Sequence, residues 1–330
     1  MGKYSMRLLK DVYVCQICPN NCELREGQVG KCSVRGVKDG EVKLLTYGQV
    51  STVAVEPIEK KPFYHFMPGT KVLSLGSRGC SFRCSYCQNY SISQSPDVAL
   101  SHFSLEQAVA SAIEKKCKGI CFTYNEPIPS YEYIIDLARA AHDAGLYFVL
   151  STNGFAEKDV WSEICEVSDA INIDYKGNSS KQYEEVARNK FFPYYHVITR
   201  LMEAITQGKT HIEISVPVLW EATVKQFDDF REFVHYYNKF VPIHLLRVVP
   251  SNEMMHAPAT PESLLMELRE YLMEKLPFVY VGNIFTDEAV KTRHTYCSFC
   301  GQVIVERKGF ETVLKLNADC GRCASFLRLS

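Results

Sequence analysis

From Val72 onward the chain alternates between short apolar runs and longer amphipathic stretches. Val72-Leu73-Ser74-Leu75-Gly76 is apolar and closed by a glycine, which predicts a buried strand ending in a turn. Ser104 with Gln107 three residues on forms a capping-box pattern, and Leu105, Ala108, Val109, Ala112 and Ile113 behind it predict the buried stripe of a helix. The same reasoning predicts strands over 119–123, 146–151, 170–174, 211–218, 243–249 and 278–281. Helices are predicted from Ser130 and over 158–167, 182–188, 195–206, 224–238 and 261–274. Repeated βα units imply a parallel sheet with right-handed crossovers. Six units and a closing strand suit an α/β fold, a partial (βα)6 barrel. In such barrels chemistry collects at the C-terminal strand ends.

Composition narrows the class. The chain has 330 residues, 46% of them hydrophobic, and a formal net charge of −1. Nothing in that balance points to a nucleic-acid partner. No run approaches the length of a membrane span, and the start, Met1 to Arg7, lacks the apolar core of a signal peptide. The expected location is the cytoplasm. Fourteen cysteines in a chain of this kind point to metal ligation rather than a disulfide framework. Cys117, Cys121 and Cys165 lie inside helix or strand patterns and read as packing residues.

The other cysteines form three groups. Cys15, Cys18, Cys22 and Cys32 occupy a turn-rich segment with little apolar periodicity, so that segment needs a metal to fold. Zinc and a second iron–sulfur cluster both suit them. Cys297, Cys300, Cys320 and Cys323 form two CxxC knuckles, the pattern of a zinc ribbon or a rubredoxin-like iron. Between them, Cys80, Cys84 and Cys87 fall on one loop directly after the first predicted strand. Three thiols can hold three irons of a [4Fe-4S] cluster and leave the fourth open to another ligand. A distant cysteine completing a zinc site or an ordinary electron-transfer cluster is the alternative. The expected organisation is a cysteine-rich module with a segment covering the active site (residues 1–70), the barrel (71–285) and a four-cysteine module (286–330).

The CxxxCxxC loop with aromatic Tyr86 before its last cysteine resembles the signature of radical S-adenosylmethionine (SAM) enzymes. The resemblance implies that SAM chelates the open iron. One electron then cleaves it to a 5′-deoxyadenosyl radical, which abstracts hydrogen from a substrate. The chain is also similar to pyruvate formate-lyase activating enzymes at Tyr124-Asn125-Glu126-Pro127, Thr152-Asn153-Gly154 and Asp174-Tyr175-Lys176. That likeness implies Glu126 and Asn125 for the amino group of SAM and Lys176 for its carboxylate. It implies Asp174 for a ribose hydroxyl or cation, and Thr152 and Asn153 beside them, with Tyr86 near the adenine. Those enzymes carry a His after the sixth strand; Asn252 or His244 is the nearest candidate here.

A closer resemblance in pattern is to the radical SAM member of the AmmeMemoRadiSam system. It is carried by Pro57 to Phe66, Cys87-Gln88-Asn89 and Tyr280-Val281-Gly282-Asn283. It implies site roles for Lys60, Lys61, His65 and Asn89. It also implies a protein or peptide substrate and an external reductant such as flavodoxin or ferredoxin, with anaerobic chemistry. Radical chemistry on a small molecule, on tRNA or on SAM itself is the first competing reading. A binding protein stapled by structural metals is the second.

Overall fold

The structure is a computed structural model, and it describes residues 3–284, 286, 290–309, 311–316 and 319–329. Its centre is an eight-stranded sheet: β1 (Thr52–Pro57), β2 (Lys71–Gly76), β3 (Gly119–Phe122), β4 (Tyr147–Thr152), β5 (Ala170–Asp174), β6 (His211–Val218), β7 (Ile243–Arg247) and β8 (Val279–Gly282). Strands β2 to β8 are parallel and lie in chain order, while β1 pairs antiparallel with β2 at one edge. Seven parallel strands joined by six crossovers form the expected partial barrel.

β1 is an addition, because its burial alternates and the sequence pattern does not mark it. Parallel strands covered on both sides read as continuous apolar runs, and β3 is buried throughout. The long helices present apolar stripes to the sheet, as Leu137, Ala138 and Ala141 of Tyr131–Asp143 illustrate. Beyond shifts of one or two residues at element ends, three details differ from expectation. Ile113 is exposed, while Ala108 and Ala112 are buried and Leu105 and Val109 pack partly buried against the core. A 3-10 turn, Val224–Phe227, precedes the helix Asp228–Asn238, and β7 stops at Arg247 rather than Val249. Cys117, Cys121 and Cys165 are buried, as packing residues would be.

The segment after β1 does not cover the C-terminal mouth of the barrel. Ile58, Phe63 and Phe66 pack with Val72, Cys121, Val149 and Ala170, of which Ala170 is the first residue of its strand and Val72 the second. The segment therefore plugs the N-terminal end. Glu213 on β6 clamps it there: this fully buried carboxylate accepts hydrogen bonds from the backbone N–H of Tyr64 (2.9 Å), His65 (2.8 Å) and Phe66 (3.3 Å). His211 and His244 complete its shell at 3.1 and 2.7 Å. Burial alone would raise this carboxyl; the bonds from both histidines outweigh it and hold the group well below the usual range.

The C-terminal strands Thr295–Tyr296, Val303–Lys308 and Glu311–Leu314 form a small sheet against the same end. Phe326 packs on Phe278, and the Arg328 N–H donates to the His65 carbonyl. Among the described residues no helix is long and apolar enough to cross a membrane.

Candidate active site

The cysteine loop leaves the C-terminal end of β2 and faces a cavity of about 400 Å³, within the range of small-molecule sites. Cys80, Cys84 and Cys87 line it together with Glu126, Thr152, Asn153, Asp174 and Lys176. These residues stand just beyond or at the ends of β3, β4 and β5, so consecutive parallel strands deliver them to one place.

Backbone and side-chain bonds hold the loop in position. Asn125 accepts from the Ser77 N–H (2.8 Å) and donates to the carbonyls of Arg78 and Gly79 (2.9 and 3.0 Å). Asn153 donates to Ser81 Oγ at 3.0 Å and lies 3.9 Å from Cys80 Sγ. From the far side, Ser251 donates to the Tyr86 carbonyl, and Gln94 and Asn252 both donate to the Cys84 carbonyl. Asn89 donates to the Tyr124 carbonyl at 2.8 Å. Gly79 has φ of +86°, and a Cβ there would stand 2.2 Å from the Cys32 carbonyl oxygen. Only glycine tolerates both conditions.

The charges converge as the strand ends suggested. Lys176 Nζ donates to Asp174 Oδ2 at 2.8 Å. Burial would lower its pKa, but Asp174, Tyr86 and Cys84 hold the ammonium well above its ordinary value. Glu126 is buried and accepts from Thr152 Oγ1 (2.5 Å), the Asn153 N–H (2.8 Å) and the Ile128 N–H (3.1 Å). Burial dominates these bonds and raises its carboxyl to about 7. On the floor, Glu56 pairs with both Lys60 and Lys61 and accepts from the Tyr124 hydroxyl, while Lys61 lies 4.0 Å from the centre of the Tyr124 ring. Burial opposes ionisation of Glu56, but these three donors bring it down to about 2.

Three residues expected at the site fall elsewhere. His65 is buried at the N-terminal end of the barrel, where Nδ1 donates to the Phe326 carbonyl (2.8 Å) and Nε2 accepts from the Tyr280 hydroxyl (2.6 Å). Burial pushes its pKa down to about 3, so it stays neutral. Proximity in sequence to Lys60 and Lys61 does not bring His65 to the cavity, because the chain turns down into the barrel after Pro62. Asn252 braces the back of the cysteine loop and does not line the cavity. His244 is committed to Glu213. Arg247, Asn283 and Gln88 line the cavity without having been singled out. Arg247 follows the rule that strand ends carry chemistry, and Asn283 donates to its carbonyl at 3.2 Å.

The two terminal cysteine sets differ in geometry. In the C-terminal set the Cys297–Cys320 and Cys300–Cys323 sulfurs are 3.9 and 3.7 Å apart. Four thiolates bound at about 2.3 Å on one tetrahedral ion stand about 3.8 Å apart, so this set has the spacing of a single metal. Among the described residues it is the one group of His, Cys, Asp or Glu whose ligand atoms all lie within 4.8 Å of one another. The N-terminal four instead surround a small void.

Residues 75–234 match the family model of the radical SAM superfamily. An uncharacterized protein of Methanocaldococcus jannaschii is 34% identical over 317 residues, covering 94% of this chain and 92% of that protein. Over 67 residues the chain is 22% identical to the 4-hydroxyphenylacetate decarboxylase activating enzyme of Clostridium scatologenes, covering 20% of this chain and 22% of that enzyme. Streptococcus suis SuiB, solved bound to the precursor peptide SuiA, shares the fold with a TM-score of 0.52 at 15% identity. That match covers 70% of this chain and 52% of SuiB. Residues 75–234 are thus a radical SAM domain. A [4Fe-4S] cluster and SAM are the groups that domain implies, and the cavity suits them. Three thiols share one wall, and the buried Tyr86 hydroxyl beside them has no partner among the described residues.

Proposed function

We propose that this protein is a radical SAM oxidoreductase of the activating-enzyme kind that acts on a protein or peptide. The observation that carries this reading is the single cavity shared by the three loop cysteines, Glu126 and the Asp174–Lys176 pair. Cys80, Cys84 and Cys87 would hold the cluster. When bound, it supplies the electron that cleaves SAM and lets the adenosyl fragment take a hydrogen atom from the substrate.

The rest falls to the chain. Glu126, once ionised, accepts a hydrogen bond from the SAM ammonium, and Lys176 donates to its carboxylate. Asp174 is left to accept from a ribose hydroxyl, and the Tyr86 ring covers the adenine. Lys60 and Asn89, both exposed and both lining the cavity, meet the incoming substrate. Lys61, tied to Glu56 and Tyr124, keeps the floor rigid and closed to water. Support for a peptide or protein substrate comes from the relatives: one is an activating enzyme, and another was solved with a precursor peptide. The likeness to the AmmeMemoRadiSam group points the same way.

Anaerobically reconstituted, reduced protein is expected to release 5′-deoxyadenosine from SAM, and a Cys84→Ala variant none. Failure of the intact protein to bind SAM would overturn the reading. For the substrate, a cell-extract fraction that accelerates 5′-deoxyadenosine release is expected to lose that effect after protease digestion. Survival of the effect would refute the protein or peptide assignment.

A further inference from the structure

Cys15, Cys18, Cys22 and Cys32 line a small void instead of closing on one point. Four thiolates drawn onto one zinc ion, as in the C-terminal set, leave no such space between them. The described residues give no three of these four thiols within 4.8 Å of one another, in contrast to that set. Spread sulfurs around a central void are what a polynuclear cluster requires, because the inorganic core stands between the ligands.

A second observation concerns charge. Arg35 lines the same void, is 3% exposed, and its Nε–H has no hydrogen-bond partner among the described residues. Its other nitrogens are fixed by Glu132 (2.6 and 2.7 Å) and the Pro129 carbonyl (3.1 Å). Glu132 balances the single charge of the guanidinium, and the idle N–H remains as a hydrogen-bond donor to an acceptor in the void. A thiolate-ligated iron–sulfur core is such a group, with sulfurs that accept hydrogen bonds.

The third observation is position. Asn20 Nδ2 lies 3.6 Å from Cys18 Sγ and donates to the Ser81 carbonyl at 3.1 Å, one residue from Cys80. Asn189 fixes that amide by donating to Asn20 Oδ1 at 3.0 Å. The Cys32 carbonyl meanwhile packs on Gly79, the residue on the other side of Cys80. The two cysteine sets are thus joined by short contacts on both flanks of Cys80.

We propose that Cys15, Cys18, Cys22 and Cys32 hold an iron–sulfur cluster that passes electrons to the cluster on the Cys80 loop. One electron enters from a low-potential one-electron protein donor, and one leaves toward Cys80 through the Asn20–Ser81 contact. The N-terminal centre returns to its starting oxidation state, with no proton or group transferred. The relay rests on the radical SAM reading of the loop; the identity of the N-terminal centre does not.

The test uses the full chain, reconstituted anaerobically with iron and sulfide. A Cys80→Ala, Cys84→Ala, Cys87→Ala triple variant is expected to keep about four irons and about four acid-labile sulfides per chain, with a cubane Mössbauer signature. Adding Cys18→Ala and Cys32→Ala is expected to remove them. Zinc without sulfide in the triple variant would overturn the proposal. Acid-labile sulfide retained after both sets are removed would overturn it equally. Because the triple variant leaves the N-terminal segment untouched, its result stands even where the further substitutions impair folding. Failure of the loop reading looks different: the triple variant would then contain as much iron as the unaltered protein. For the relay, Asn20→Ala is expected to slow reduction of the loop cluster by a protein donor, followed by stopped-flow absorbance, while leaving iron content unchanged. An unchanged rate would refute the route.

Discussion

Glu213→Gln isolates the clamp at the N-terminal end of the barrel. In the native protein Oε1 serves the His65 and Phe66 N–H groups and His211, while Oε2 serves the Tyr64 N–H and His244. An amide keeps one of these oxygens and turns the other into a donor. With its oxygen at the Oε1 position, its NH2 faces the Tyr64 N–H, donor against donor, and that buried group loses its partner. Leaving it unpaired costs about 1–3 kcal/mol. The surviving bonds lose their charge assistance, worth roughly half their strength. Together these predict a loss of about 3–5 kcal/mol, the range for breaking a buried ionic arrangement.

With a urea m-value of about 3 kcal/mol/M, that corresponds to a midpoint lower by about 1 M or more. Anaerobic urea titration of the reconstituted protein, read by Trp161 and Trp220 fluorescence, measures it. The pH dependence has a definite sign. A carboxylate whose folded pKa is depressed contributes its stability above the unfolded value of about 4.3 and loses it as pH falls through the folded value. The gap between native and variant should therefore shrink on acidification. An equal midpoint for the two proteins, or a gap that widens in acid, would refute the reasoning.

Three further outcomes follow from the geometry. Because burial raises Glu126 to about 7, SAM affinity should strengthen as pH rises through that value. Glu126→Gln should flatten the profile in anaerobic equilibrium dialysis; an unaltered pH dependence would exclude Glu126 as the ammonium partner. Gly79→Ala forces a Cβ against the Cys32 carbonyl at positive φ, a conformation that alone costs about 1–2 kcal/mol. It should lower iron per chain, and full iron content would show that the loop and the N-terminal segment do not need this contact. Cys300→Ala should remove one bound metal ion by elemental analysis and lower the melting temperature, because Phe326 and Arg328 dock this module on Phe278 and His65. Release of 5′-deoxyadenosine should persist, and its disappearance would tie the C-terminal metal to catalysis.

What the sequence determined by itself is what depends on spacing along the chain. Apolar periodicity defines the βα units. The run after Leu75 sets three thiols on one loop, and two CxxC knuckles declare a tetrahedral site whose sulfurs stand 3.7 to 3.9 Å apart in pairs. Glu126, Asp174 and Lys176 were legible because strand ends in a parallel barrel share one mouth. The tertiary structure decided everything that depends on direction and on distant partners. Local pattern says nothing about which way the chain turns after Pro62, so His65 goes to the N-terminal end while Lys60 and Lys61 line the cavity. Glu213 looks like one more residue of an apolar strand until three backbone N–H groups, some 150 positions earlier, close on it. Asn252 braces the cysteine loop only because the chain after β7 folds behind it. The N-terminal cysteines, too, could be counted along the chain but not measured. The void among them, the idle Arg35 N–H and the contact with Cys80 arise only when segments far apart in sequence pack together.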